Sequence, residues 1–342
     1  MLYDENHIAM HCLESRDAWS TISKELALKM MQEMLLIRRL EMAGEAAYLN
    51  GDVGGFFHSY IGQEAVQTAI VNVFGKDHWY TTSYRCHALA LLLGVSPDAI
   101  LAELYGKATG NAKGRGGSMH LFHDNLLGGH GIVGGQFAVA AGAGFSAKYK
   151  KEDRLSICFF GDGALAQGTF HETLNIVSLW NLPCIYVLEN NSFGMGTATK
   201  RAIANDQKFL EKQAESFAMP FFRLDGMDIA NCYAGFTKVY ELIKKEKKPV
   251  LIECLTSRFR GHSISDPGLY RSKEELASCK KRDPILLFKT KLIEKGHLTE
   301  DQYKEMERDA KEKIQKSMQF AAESPFPDPT ELEQDVLIEE GV

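Results

Sequence analysis

Gly161-Asp162-Gly163 and Asn190-Asn191 are the residues of this 342-residue chain whose types and spacing most directly suggest chemistry. A carboxylate and an amide oxygen are hard ligands, suited to Mg²⁺ or Ca²⁺ rather than to zinc. Two side chains cannot fill an octahedral shell, and Mg²⁺ usually completes it with waters and the phosphates of a bound molecule. The half-built site therefore implies a phosphorylated ligand. Glycine on each side of Asp162 lets backbone approach that ligand, and a helix beginning near Ala164 would point amides at an anion. Either half alone reads as an ordinary strand-end turn or an asparagine pair. Both together, on the elements that carry them, read as a site.

Those elements are legible. Leu155, Ile157, Cys158, Phe159 and Phe160 form the apolar run of a parallel strand covered on both faces. Phe170, Leu174 and Val177 recur at helical spacing until Asn181-Leu182-Pro183 stops the helix. Residues 185–188 make a second strand, ending in Glu189-Asn190-Asn191. Strand, helix and strand cross over right-handed, which puts Asp162 and Asn191 at carboxyl ends of strands, where open parallel sheets bind ligands.

Along the rest of the chain, Ser23 caps a long helix running to about Asn50, with Leu26, Met30, Met34, Ile37 and Met42 as its apolar face. Helical segments around Ala65 and Leu92 precede a glycine-rich stretch over 106–135, and residues 221–224 and 250–255 read as further strands. Ser272 with Glu275 and Thr299 with Gln302 have capping-box spacing, and Asp283-Pro284 starts another helix. No internal repeat or interior linker appears. The chain divides into an N-terminal arm (1–22), one α/β domain (23–323) and an extended tail (324–342).

Composition narrows the class. A hydrophobic fraction of 45% supports a sizeable core, and a net charge of −6 argues against general affinity for nucleic acid or anionic membrane. Seven scattered cysteines, with Cys158, Cys184 and Cys254 in apolar strands, read as reduced core thiols. No apolar span reaches membrane length, and Asp4, Glu5 and Glu14 deny the first residues the character of a signal or transit peptide. The expectation is a cytoplasmic, bacterial-type protein.

Two decoys weigh against the phosphate reading. Gly142-Ala143-Gly144-Phe145-Ser146-Ala147 matches the dinucleotide fingerprint, with Asp162 placed like a ribose-binding acid. The small residues more simply let a helix pack closely. His120, His123 and His130 could suggest zinc, but they lie in a glycine-rich context with no nearby cysteine and match no common zinc spacing. Tyr84-Arg85 by itself reads as an exposed pair on a helix, and gains a role only beside a diphosphate, whose oxygens a guanidinium binds in a planar fork.

Taken in order, these motifs resemble the thiamine diphosphate motif and, over residues 35–329, the 2-oxo acid dehydrogenase alpha-chain family. Gly55-Phe56-Phe57-His58, Gly62-Gln63-Glu64-Ala65, Tyr84-Arg85 and Lys113-Gly114-Arg115-Gly116-Gly117-Ser118-Met119-His120 carry the likeness. So do Gly131-Ile132-Val133-Gly134, Gly194-Met195-Gly196-Thr197 and Gly261-His262-Ser263-Ile264-Ser265-Asp266-Pro267-Gly268. The resemblance implies a thiamine diphosphate-binding α/β fold with a central, mostly parallel sheet. It implies thiamine diphosphate and Mg²⁺ as cofactors, with the metal on Asp162, Asn191 and the backbone carbonyl of Phe193, where the family usually has tyrosine. Tyr84, Arg85 and His262 would contact the diphosphate and Asp162, Gly163 and Ala164 would cradle it. Gly131 and Val133 would meet the aminopyrimidine through backbone, and His58 would stand near the reacting atoms. His58 and His262 are thus the catalytic candidates.

In that family the activating glutamate belongs to a beta chain, and 342 residues cannot hold both a diphosphate and a pyrimidine domain of the usual size. The resemblance therefore implies half an active site, an α₂β₂ heterotetramer, and acetyl transfer from pyruvate to lipoamide on an acyltransferase component. Branched-chain 2-oxo acid and acetoin enzymes are the alternatives. From another class, a non-catalytic regulatory homologue that binds thiamine diphosphate without turnover is the rival reading. The loop 258–271, with Arg258, Arg260 and Arg271, is expected to be mobile when empty and to close over the diphosphate; a phosphate on Ser263 would oppose closure.

Overall fold

A computed structural model describes residues 15–204, 208–331 and 333. Its centre is a six-stranded sheet of β1 (Trp79–Ser83), β2 (Leu126–His130), β3 (Ser156–Gly161), β4 (Cys184–Asn190), β7 (Phe221–Asp225) and β8 (Val250–Leu255). The order is β2-β1-β3-β4-β8-β7, and every pairing in this sheet is parallel. Between β4 and β7, β5 (Phe193–Gly194) and β6 (Thr197–Ala198) form a short antiparallel ribbon. The order reverses about β1, with β2 on one side and β3 on the other, which opens a crevice at the strand ends.

The apolar runs explain why the sheet is sandwiched. Successive strand residues point to opposite faces, so Ile157, Phe159, Ile185, Val187 and Ile252 join one core cluster. Cys158, Phe160, Tyr186, Leu188 and Leu251 join the other. Helices Lys24–Asn50, Glu64–Phe74 and Ile229–Glu246 cover the first face, and Gln136–Lys150, Gly168–Leu179 and Phe209–Ser216 the second. The Gln136–Lys150 helix approaches so closely that a Cβ on Gly144 would overlap Cys184 Sγ. Close packing accounts for Gly144, whereas a Cβ on Gly142 would meet open space. The long Glu300–Glu323 helix lies along the first helix and along Pro97–Leu104.

Local signals mostly decide helix ends. Ser23 accepts the Leu26 amide at 3.2 Å, the Ser272–Glu275 and Thr299–Gln302 boxes both close, and Asp283 caps the helix that begins at Pro284. Tertiary context overrides others. Met42 is exposed rather than on the buried face, because the buried register at that level is taken by Glu41, whose carboxylate bonds His87 at 3.0 Å. The helix expected near Ala164 is a 3₁₀ turn, Asp162–Ala164, and the α-helix starts only at Gly168. The chain reverses there on i→i+3 bonds, Leu165 to Asp162 and Gln167 to Ala164. β1 and β2 had no clear sequence signature; β2 is Leu-Leu-Gly-Gly-His inside the glycine-rich stretch.

The named domain ends fall partly outside the described residues. Of the arm, residues 15–21 form a 3₁₀ helix whose Trp19 stacks on Phe288 at 5.4 Å. Of the tail, Ala108 donates to the Pro325 carbonyl, and Lys107 lies 3.8 Å from the Phe326 ring centroid. Among the described residues no cysteine is in a disulfide, no helix is long and apolar enough to cross a membrane, and no group of three or more His, Cys, Asp or Glu could hold a metal ion.

Candidate functional site

Parallel pairing brings distant motifs to one edge of the sheet. Ser83 lies opposite His130, Gly161 opposite Glu189, and Asn190 opposite Leu255. The chain leaving β1 therefore delivers Tyr84 and Arg85 beside the chain leaving β3, with Asp162, Gly163 and Ala164. β4 adds Asn191, and the segment after β8 adds Arg258 and His262. Together they wall a cavity of about 370 Å³. Gly163 and the Phe193–Gly194 ribbon meet backbone to backbone: a Cβ on Gly194 would stand 3.1 Å from the Gly163 Cα. Side chains there would wedge the ribbon away from the cavity.

Asp162 is 3% exposed, and its Oδ2 accepts the Thr199 hydroxyl at 2.8 Å. Its Oδ1 faces the Asn191 amide at 3.4 Å. Burial pushes its carboxyl up from the ordinary range, with the Thr199 bond and Arg258 opposing. A cation would offset that cost. Asn191 Oδ1 is buried and has no hydrogen-bond partner among the described residues. A carboxylate and an orphaned amide oxygen at one strand-end edge are suited to a hard divalent ion that shares the cavity with an anion.

The anion side is equally unbalanced. Arg85 Nη1 and Nη2 donate to the carbonyls of Ser59 and His262, each at 2.7 Å. Arg258, 1% exposed, donates to the Met195 carbonyl at 3.1 Å and to the Tyr270 hydroxyl at 3.4 Å, while its Nε finds no partner among the described residues. These are neutral acceptors, so two buried guanidinium charges face the cavity without a carboxylate in hydrogen-bonding contact. Burial and Arg258 lower Arg85 to about 10. An incoming diphosphate would supply the missing negative charge.

Both histidines are held neutral. Burial, then Arg85 and His262, push His58 down to about 2, and burial with Arg85 and Arg258 pushes His262 down to about 4. His58 packs on Tyr84 at 4.4 Å and against His262 at 4.9 Å between ring centroids. His262 Nδ1 lies 3.5 Å from Arg258 Nη1, and His58 Nδ1 is buried without a partner among the described residues.

Of the residues singled out from sequence, Tyr84, Arg85, Val133, Asp162, Gly163, Ala164, Asn191, Phe193 and His262 line the cavity. His58 and Gly131 do not: His58 lies behind Tyr84, and Gly131 adjoins the lining residue His130. Tyr84-Arg85 is not an exposed pair on a helix. It sits in the bend between β1 and the helix His87–Leu93, with Arg85 only 6% exposed. His120 Nδ1 bonds the Gly116 carbonyl at 3.1 Å, as a loop histidine does.

The loop 258–271 makes several polar contacts within the fold. Asp266 Oδ2 accepts the His262 amide at 2.5 Å and the Tyr270 hydroxyl at 2.8 Å. Arg260 pairs with Glu45 at 2.7 Å, and Arg271 donates to the Arg258 and Arg260 carbonyls. Arg260 and Arg271 are thus engaged within the fold, while Arg258 faces the cavity.

Sequence reasoning missed Thr199 and Glu189 as cavity residues, and named Arg258 only as a member of the loop 258–271. Thr199 and Arg258 sit in motifs that offer many polar residues, and only packing selects the two that face Asp162 and the cavity. Glu189 precedes the asparagine pair, lines the cavity and bonds Tyr60. Burial pushes it up to about 7.

Comparison with known proteins identifies the family. The family described as "Dehydrogenase E1 component" matches residues 32–330. A Rickettsia felis protein named "Pyruvate dehydrogenase E1 component subunit alpha" is 42% identical over 92% of this chain and 96% of its own. One of the same name from Rhizobium meliloti is 41% identical over 92% and 91%. The mitochondrial protein of that name from Saccharomyces cerevisiae is 38% identical over 98% of this chain and 79% of its own. A thiamine diphosphate-dependent family, a parallel sheet with its cavity at the strand ends, and a match across nearly the whole domain lead to one conclusion: the chain belongs to the dehydrogenase E1 component family.

Proposed function

We propose that this E1-type alpha chain takes part in oxidative decarboxylation of pyruvate, with thiamine diphosphate and Mg²⁺ in the strand-end cavity and the acetyl group passing to a lipoyl-bearing acyltransferase. The observation that carries the reading is the pairing of a buried Asp162 and an unpartnered Asn191 oxygen with two guanidinium groups that lack carboxylate partners. Pyruvate is favoured over branched-chain acids by these relatives, each named as a pyruvate dehydrogenase subunit.

The bound cofactor would supply an electron sink that accepts the electrons released when CO₂ leaves a 2-oxo acid. This chain's residues hold and orient. Asp162, Asn191 and the Phe193 carbonyl would hold the metal. Arg85, Tyr84 and His262 would bind the diphosphate, with Gly163 and Ala164 bringing backbone close. Gly131 and Val133 would meet the pyrimidine end through backbone, and His58, kept neutral behind Tyr84, would steer the entering acid by hydrogen bonding. Glu64 is no activating acid, because its carboxylate is buried against Arg38 at 2.5 Å and accepts the Gly62 amide at 2.9 Å. The pyrimidine-activating acid would come from a beta chain, and the working unit would be an α₂β₂ heterotetramer.

The test is co-expression with the beta chain and decarboxylation assays across pyruvate, branched-chain 2-oxo acids and acetoin. Proton exchange at the thiazolium carbon should exceed that of free cofactor only when the beta chain is present. Fast exchange by the alpha chain alone would defeat the divided-site reading, and a preference for branched-chain acids would defeat the substrate.

A further inference from the structure

A buried charged contact runs behind the strand-end asparagines. Arg223 of β7 and Glu253 of β8 are opposite one another in the sheet and only 7% and 3% exposed. Arg223 Nε donates to Glu253 Oε2 at 2.6 Å. Replacing such a pair by apolar residues often costs a fold nothing, so the pair's presence in the sheet points to orientation rather than stability.

The second carboxylate oxygen shows what is oriented. Glu253 Oε1 accepts Asn190 Nδ2 at 2.7 Å. A carboxylate can only accept, so the Asn190 amide must present its NH₂ to Glu253 and its oxygen the other way. That oxygen accepts the Ser192 amide at 2.9 Å, and the Asn190 carbonyl accepts the Thr256 amide at 2.8 Å. Ser192 completes the turn at φ 69°, in the left-handed region that a serine enters only under constraint. Asn191 is strung between these anchors, its amide toward Asp162 and its Oδ1 buried without a partner among the described residues.

We propose that Glu253, fixed by Arg223, is a positioning residue that sets the Asn191 ligand oxygen by dictating which way the Asn190 amide faces. The proposal rests on Asn191 being a metal ligand. A glutamine at 253 would break it, because its own NH₂ can satisfy Asn190 Oδ1 and let that amide turn over, releasing Ser192.

The experiment measures Mn²⁺ affinity by EPR in the alpha–beta complex with thiamine diphosphate present. Five proteins are compared: wild type, Asn191→Ala, Asn190→Ala, the double variant Glu253→Gln/Arg223→Met, which removes both charges of the pair, and the triple variant that adds Asn190→Ala to it. Partners that orient a metal ligand typically cost 10–100-fold in affinity when lost. Asn190→Ala and the double variant should each weaken Mn²⁺ by about tenfold, and combining them should add little, because they cut one chain of contacts. The metal concentration for half-maximal rate should rise by the same factor, with the rate at saturating metal nearly kept. Wild-type Mn²⁺ affinity in the double variant or in Asn190→Ala, beside a weakened Asn191→Ala, overturns the positioning role alone. Wild-type affinity in Asn191→Ala overturns the ligand assignment and the positioning role with it.

Discussion

Replacing Arg85 by lysine keeps a positive charge in the cavity and removes the planar fork. Arg85 spends one N–H of each terminal nitrogen on the Ser59 and His262 carbonyls, at 2.7 Å each. Three of its five donors therefore remain for an anion. An ammonium has three donors radiating from one point and cannot reach both carbonyls and a phosphate in the same geometry. Hydrogen bonds to charged groups contribute about 1.5–3 kcal/mol each. One lost bond to the diphosphate then corresponds to a tenfold loss of cofactor affinity or more, since about 1.4 kcal/mol is a factor of ten. A second lost bond, to the His262 carbonyl, should loosen the segment that carries that histidine. Calorimetric titration of the alpha–beta complex with thiamine diphosphate at fixed Mg²⁺ reads the first effect, and the unfolding midpoint reads the second. A lysine variant with wild-type cofactor affinity would show that the fork does not touch the diphosphate. A variant that loses only folding stability would reduce Arg85 to a strut between Ser59 and His262.

Asp162→Ala removes the charged member of the proposed metal shell and should abolish Mg²⁺-dependent cofactor binding in a folded protein; unchanged calorimetric affinity would rule the assignment out. Thr199→Val deletes the 2.8 Å hydroxyl bond to Asp162 Oδ2 at nearly constant volume. It should weaken metal affinity by roughly threefold to tenfold, the scale of one hydrogen bond, without moving the melting temperature of the apoprotein; an Mn²⁺ titration decides. The histidines give a pH signature. His58 and His262 are depressed to about 2 and about 4 against 6.5 unfolded, so between pH 6.5 and 4 the unfolded chain binds protons that the folded one refuses. Stability is therefore full above about pH 6.5 and falls on acidification. His58→Gln should flatten that slope in thermal unfolding measured from pH 7 to 5, and an unchanged slope would mean that His58 protonates freely when folded.

Part of the candidate site was legible in the sequence because a few of its elements are local. The apolar runs through 157–160 and 185–188, with a helix between, force a right-handed crossover and deliver Asp162 and Asn191 to one edge whatever else the chain does. Caps are local for the same reason: Ser272 and Glu275, or Thr299 and Gln302, satisfy amides within one turn. Family likeness extended that reading to Tyr84, Val133 and His262, all of which the fold brings to the same cavity.

What tertiary structure alone decided is which polar groups are left without a partner. Nothing in residues 84–85 says that the pair sits in a bend and that Arg85 is buried against two carbonyls. That depends on β1 lying between β2 and β3, and on the loop after β8 folding back across it. Likewise, no spacing rule links Thr199 to Asp162 or Glu253 to Asn190; parallel pairing of β4 with β8 makes the second contact. Sequence periodicity records which face of an element is buried, because burial repeats with the helix or strand. It does not record which buried donor meets which acceptor, because those distances are set by the packing of elements far apart in the chain. The placement of Asp162 and Asn191 at strand ends belongs to the first kind of information, and the unbalanced charges around them belong to the second.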